Sequence, residues 1–335
     1  MTGSINELRW NPLIGSWIIV SSKREKRPWR KGLCPFCPGR PETGEGWDVI
    51  VLDNKFPALK VDAVVSTTSR DIYKVKEGYG YCKVVVETTE HEGDLDSIPF
   101  KNLIKYLEVL TDETRKICKD KKIKYVFPFR NKGKEIGVSL THPHSQIYAL
   151  SFIPPRIRVE LKNMKEYYEE YGECLLGKII DIEKGEKKRV LYENDEYMAF
   201  LPFYAMWPYE VHIYPKKHYS SLIDLNDGSR RFLADVIKMV VAGYNSLFSF
   251  SLPYIMVFHQ KPCRGDFDFF HFHIEFYPVH RDENKMKFPA GIERGAWTFT
   301  YDGLPEERAL ELRKALFRAS KRMKKNGYKP LGVFY

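Results

Sequence analysis

Apolar residues recur with two distinct periods along the 335-residue chain, and they divide it into short strands separated by a few amphipathic helices. Strand patterns fall at residues 17–20, 49–52, 81–87 and 123–127, then around Leu191, at 198–201, and in a segment ending at His259. A helix is predicted after Ser97 and Pro99, with Phe100, Leu103, Ile104 and Leu107 on one face. A charged helix is predicted over 156–172, and a more apolar one over 229–244 with Phe232, Leu233, Val236, Val240 and Tyr244 facing inward. The last long helix follows Gly303. It opens on Pro305, Glu306 and Glu307 and ends in Lys and Arg, a charge order that suits the helix dipole.

One extended stretch, residues 137–148, carries unusual chemistry. Leu140, His142, His144, Gln146 and Tyr148 fall on one face because side chains alternate with period two, and Ser139, Thr141 and Pro143 fall on the other. One imidazole there can ligate a metal while its neighbour acts as a nucleophile, and the amide can donate to an anionic oxygen. The plainer alternative is an edge strand with two histidines.

Composition changes this picture little. Hydrophobic residues make up 43% and charged residues 29%, ordinary values for a globular chain. The net charge of +10 suits an anionic substrate such as a nucleotide, and equally nucleic acid, but the basic residues are scattered. Arg24, Lys26 and Arg27 make a cationic loop, either a solvated run or a phosphate clamp. Residues 1–10 lack an apolar leader core. The most membrane-like stretch, 237–258, is interrupted by Lys238, Asn245 and Pro253. A cytoplasmic protein without membrane spans is expected. HExxH, Walker and GxSxG patterns are absent.

Of six cysteines, only Cys34 and Cys37 have a patterned spacing, which favours metal over a disulfide in a reducing compartment. With His91 and His142 they can complete a zinc site of two thiolates and two imidazoles. His259, His271, His273 and a carboxylate can complete a second site, for zinc or iron.

The two halves echo each other. His91, Leu95, a helix, a strand and His142-x-His144-x-Gln146 are matched by His218, Leu222, a helix, a strand and His271-x-His273-x-Glu275. The second half lacks an intact CxxC, since Cys174 is followed three residues later by Gly177. Gln146 against Glu275 implies that only the first half keeps a reactive histidine.

The chain resembles the galactose-1-phosphate uridylyltransferase family of the histidine-triad superfamily over nearly its whole length. The resemblance rests on Asn11-Pro-Leu-Ile-Gly15, Lys26-Arg-Pro-Trp29, the Cys34/Cys37 pair, Asn131-Lys-Gly133 and His142-Pro-His144-Ser-Gln146. It continues through Trp207-Pro-Tyr-Glu210, His271-x-His273 with Phe276-Tyr-Pro278, and Lys287-Phe288 with Gly291 and Glu293. It implies an α+β fold of two tandem histidine-triad-like domains, 1–165 and 166–335, each a mainly antiparallel sheet with packed helices. The implied activity is ping-pong exchange of UMP between UDP-glucose and galactose-1-phosphate through a uridylyl-histidine.

Residue by residue, the resemblance makes His144 the nucleophile and Gln146 a donor to the transferred phosphoryl group. Ser139 would contact the sugar phosphate, and Asn54, Phe129 and Asn131 the nucleotide or phosphate. Lys287, Phe288 and Glu293 would hold the hexose phosphate. Arg24 and Arg27 would complete the site from the partner subunit of a homodimer. Cys34, Cys37, His91 and His142 would hold zinc, and Glu160, His259, His271 and His273 a second metal, iron or zinc. Two departures stand out: no glutamine follows Glu293 closely, and Val138 replaces a cysteine found in some relatives. An ADP-sugar phosphorylase of the same build is the near alternative, and a zinc-dependent nucleic-acid-binding protein the distant one.

Overall fold

The computed structural model describes residues 5–22, 24 and 33–335. Its organising feature is a ten-stranded sheet in which every neighbouring pair is antiparallel. The first half of the chain supplies β3 (Ile50–Asp53), β5 (Gly80–Val86), β6 (Tyr125–Lys132) and β7 (His144–Leu150). The second half supplies β8 (Val190–Glu193), β9 (Tyr197–Phe200), β10 (Val211–Pro215), β11 (Tyr254–His259), β12 (His273–Pro278) and β13 (Val333–Phe334). The order is β13-β8-β9-β10-β12-β11-β6-β7-β5-β3, so each half forms one contiguous end of the sheet. The seam is β6 against β11, with Val257 opposite Phe129 and Tyr254 opposite Lys132. A small sheet, β2-β1-β4, lies apart, built from β1 (Asn6–Asn11), β2 (Ser16–Ser21) and β4 (Val75–Glu77).

The described residues include six α-helices. They are α1 (Phe100–Ile117), α2 (Pro155–Tyr171), α3 (Leu175–Glu186), α4 (Asp227–Tyr244), α5 (Gly291–Ala296) and α6 (Pro305–Lys325). One core gathers α1, α4 and α6 over one face, with Leu103, Leu107, Val236, Val240, Leu312 and Leu316 wholly or almost wholly buried. The other face is covered by α2, α3 and the small sheet through Ile157, Leu161, Leu176, Ile180 and Leu8. The boundary expected between residues 165 and 166 falls inside α2.

Helix α4 explains its own mixed composition. It is buried on nearly all sides, and its Lys238 donates to the carbonyls of Asp96 at 2.6 Å and Ile98 at 2.7 Å. Sequence patterns missed β1, β4, β10, β12, β13, α3 and α5. They also gave no sign of the Cys118–Cys263 disulfide, whose partners are 145 residues apart.

Candidate active site and metal centres

The chain reaches the centre of the first half through a tight turn after β6. Gly133 has φ 112°, and a Cβ there would stand 2.6 Å from the Pro253 side chain, so glycine is required. Gly137 at φ 79° makes a second left-handed bend, and the strand resumes at His144. Along β7, Ser145, Ile147 and Ala149 are buried, while His144, Gln146 and Tyr148 stand on the more open face. His142 falls in the coil just before the strand, so the alternation expected from residue 140 onward begins only at His144.

His144 is held by its own chain. Its Nδ1 donates to the carbonyl of His142 at 2.8 Å, which makes Nε2 the basic nitrogen. The Phe36 ring lies 5.2 Å from the imidazole, centroid to centroid. Behind the strand, Ser145 donates to Glu87, which also accepts from Arg130 Nε at 2.9 and 3.0 Å. Arg130 Nη1 lies 3.0 Å from Asp94 and 2.9 Å from the Tyr254 hydroxyl. Burial pushes the Asp94 carboxyl up, but Arg130 and Lys132 outweigh it and hold the group below its ordinary range. Sequence reading missed this network. The one signal was Arg130 itself, an arginine on the strand face that carries Val126 and Pro128.

Two clefts meet at His144. One, of about 210 Å³, is lined by Ser139, His144, Gln146, Asn54, Leu52 and Phe36 among others. The second shares His144 and Leu140 and brings in Asn131, Lys132, Gly133 and Lys134. Phe129 lies opposite Gln146 in the β6–β7 register, and its ring meets Tyr148 edge-on at 5.2 Å. Arg24 donates to the Tyr148 hydroxyl of its own chain at 2.7 Å; Arg27 lies outside the described residues.

Lys287, Phe288 and Glu293 line neither cleft. Lys287 is buried and donates to the carbonyls of Met206, at 2.9 Å, and Thr300. Phe288 is exposed. Glu293 accepts from Thr300 Oγ1 at 2.7 Å and from the Ala290 amide at 3.1 Å, bonds that pull its carboxyl down to about 2.

Cys34, Cys37, His91 and His142 converge, with ligand atoms all within 4.8 Å of one another. His142 Nδ1 lies 3.8 Å from Cys34 Sγ and 3.7 Å from Cys37 Sγ, and His91 Nδ1 lies 3.4 Å from Cys37 Sγ. Tetrahedral coordination at zinc-like bond lengths sets sulfur and nitrogen roughly 3.6 Å apart. His142 Nε2 donates to the Thr88 carbonyl at 2.8 Å, fixing the tautomer that turns Nδ1 to the thiols. Burial keeps this imidazole below its ordinary range, in the neutral form that binds metals.

In the second half the expected set is regrouped. Glu160, His259 and His273 converge with Glu275, whereas His271 joins Cys174 and His218. The reason is the strand start. β12 begins at His273, so His273 and Glu275 share one face, while His271 lies in the coil before it. Glu160 Oε2 and His259 Nδ1 are buried, lie 3.0 Å apart and make no well-formed hydrogen bond, an arrangement that suits a shared cation. His273 Nε2 is 3.5 Å from Glu275. Burial pushes the Glu275 carboxyl up, but His212, His259 and Arg156 hold it well below its usual range. The internal repeat carried this correction, because it aligns His271 with His142 and Glu275 with Gln146.

Known proteins match at both halves. Residues 2–154 fit the family model for the N-terminal domain of galactose-1-phosphate uridyl transferase, and residues 160–322 that for the C-terminal domain. A galactose-1-phosphate uridylyltransferase of Thermotoga maritima is 42% identical over 313 residues, 92% of this chain and 98% of the relative. The Haemophilus influenzae enzyme of that name is 31% identical, over 85% of this chain and 87% of the relative. A solved uridylyltransferase structure superposes with TM-score 0.86 at 43% identity, covering 93% of this chain and 99% of its own. An Arabidopsis thaliana ADP-glucose phosphorylase with bound ADP-glucose superposes at TM-score 0.71 and 26% identity, over 92% of this chain and 99% of its own. The two domain models and the near full-length relatives together make this chain a member of the galactose-1-phosphate uridylyltransferase family.

Proposed function

We propose that the chain exchanges UMP between UDP-glucose and galactose-1-phosphate, with His144 as the nucleophile. The observation that carries this reading is the His144 Nδ1 bond to its own backbone, which makes Nε2 the basic nitrogen of a residue that lines both clefts. Nε2 attacks the α-phosphorus, a nitrogen–phosphorus bond forms, and the bond to the leaving glucose-1-phosphate breaks. A phosphate oxygen of galactose-1-phosphate then displaces the histidine. Leaving group and acceptor are both already ionised, so no proton need move, and the Nδ1–H bond to His142 stabilises the ring while it carries the nucleotide. The Gln146 amide and Ser139 donate to phosphoryl oxygens. An amide at position 146 cannot shuttle a proton to water, which favours transfer over hydrolysis.

Asn54, Phe129 and Asn131 take the nucleotide and phosphate side. Lys287, Phe288 and Glu293 lie apart from His144 within one chain, so a hexose role for them requires a second subunit. A homodimer, with the partner subunit's Arg24 and Arg27 completing the site, supplies one. The division into halves at 1–165 and 166–335 belongs to this reading. So do zinc at Cys34, Cys37, His91 and His142, iron or zinc at the Glu160 cluster, and a cytoplasmic location. Metal at the first site would brace the coil that leads into His144. No described helix is long and apolar enough to cross a membrane.

Incubation with UDP-glucose labelled in the α-phosphate, then denaturation, should leave acid-labile label on His144. A His144→Ala variant that still exchanges UMP would end the reading. The likeness to an ADP-glucose phosphorylase favours a second one, adenylyl transfer. Labelling from ADP-glucose in preference to UDP-glucose would select it.

A further inference from the structure

The grouping of Cys174, His218 and His271 belongs neither to the clefts around His144 nor to the Glu160 cluster. We infer that these three residues form a further metal site, for a borderline-soft divalent ion such as zinc, with three protein ligands and a fourth position open to solvent.

The geometry repeats that of the first half. His271 Nδ1 lies 3.1 Å from Cys174 Sγ, and the two imidazole rings are 4.7 Å apart. His271 Nε2 donates to the Pro215 carbonyl at 3.0 Å, and His218 Nε2 donates to that of Asp268 at 2.7 Å. Both rings are thus fixed in the tautomer whose Nδ1 is the basic nitrogen, as Thr88 fixes His142. His271 is buried, Cys174 half-buried and His218 exposed, so an ion has a route in from solvent. One thiolate and two imidazoles make a donor set that selects zinc over magnesium or calcium.

The missing fourth ligand has an address. Gly177 occupies the place that Cys37 holds in the first half, three residues after its cysteine. A Cβ at Gly177 would sit 3.5 Å from the Cys174 Cβ and 3.9 Å from its sulfur, in ordinary contact with that side chain. Gly177 is not held in a left-handed conformation, so a side chain can be built there. The second half therefore keeps three of four ligands of the duplicated site and leaves the fourth position to water or an added donor. Three-ligand zinc with an open position is labile compared with a closed four-ligand site.

The test uses the full-length chain, stripped of metal by chelation, with Zn²⁺ as the probe. Iodoacetamide alkylation is followed at each cysteine separately by peptide mapping. Zn²⁺ should slow alkylation of Cys174 by about tenfold or more in the unaltered protein. His218→Ala, at an exposed position, should abolish that protection while Cys34 and Cys37 stay protected. Gly177→Cys should tighten Zn²⁺ binding at this site by about tenfold or more and protect the new thiol. With Co²⁺, Gly177→Cys should add thiolate charge-transfer absorption. Alkylation of Cys174 that ignores Zn²⁺ in the unaltered protein would overturn the site. Protection that survives His218→Ala would overturn the ligand set.

Discussion

His273 Nδ1 stands 3.0 Å from the carbonyl oxygen of His271, the same tie that binds His144 to His142 at 2.8 Å. The two halves keep one backbone device but put it to different ends. His144 opens onto two clefts, whereas His273 is buried beside Glu160 and Glu275. His144→Ala should therefore lower UMP exchange by about 10³-fold or more while leaving the melting temperature nearly unchanged. His273→Ala should do the reverse. It removes one buried imidazole partner of Glu275 and empties a packed position, costing about 3 kcal/mol of stability, and the surviving folded protein still labels at His144. Urea unfolding and labelling stoichiometry on both variants check the pair.

Gln146 lines the same cleft as Ser139 and Asn54, two residues from His144. Gln146→Ala removes one donor to the phosphoryl oxygens and should lower kcat by about 10²-fold with a smaller change in KM. Steady-state kinetics measure it, and an unchanged kcat would remove Gln146 from the transition state.

Arg130 is the only cation in direct contact with Glu87 among the described ion pairs, and it also meets Asp94. Arg130→Met should destabilise the fold by about 3–5 kcal/mol, because buried Glu87 loses its cation and Asp94 is left with Lys132 alone, 3.4 Å away. Adding Glu87→Gln should recover part of that loss, since the amide no longer needs a cation. A double-mutant cycle by chemical denaturation reads the coupling.

Burial holds the Lys238 amine at about 8, against about 10.4 in an unfolded chain. Below pH 8 both states are protonated and the penalty is constant. Between roughly pH 8 and 10.4 the unfolded chain binds more protons, so stability rises with pH, by up to about 3 kcal/mol from this group. Lys238→Met lacks that rise. Denaturation of both proteins at pH 7, 8.5 and 10 checks it: a gap between them that stays fixed with pH would contradict the shift.

Much of the site was legible because its chemistry sits in local patterns. The alternation His144-x-Gln146-x-Tyr148 and the Cys34/Cys37 spacing are visible without tertiary information. Long helices with a clear apolar stripe, such as α1, were equally plain. What could not be read depends on contacts between distant residues. Glu87 and Arg130 are 43 residues apart and meet only because β5 and β6 flank β7. The choice between His271 and Glu275 depended on where β12 begins, and a period of two fits either set. The resemblance gives Lys287 and Glu293 to the hexose phosphate, but sequence could not show that both are buried in contacts with Met206, Thr300 and Ala290.

The seam between β6 and β11 also bears on how such a chain can be divided or inherited. Strand β6 has β7, the bearer of His144, on one side and the duplicated half on the other. Expressed alone, the first half would present the Phe129–Lys132 rim as an open template for stray strands, and aggregation is the expected outcome. In the whole chain β11 covers that rim, so the second half guards the edge beside the strand that carries His144.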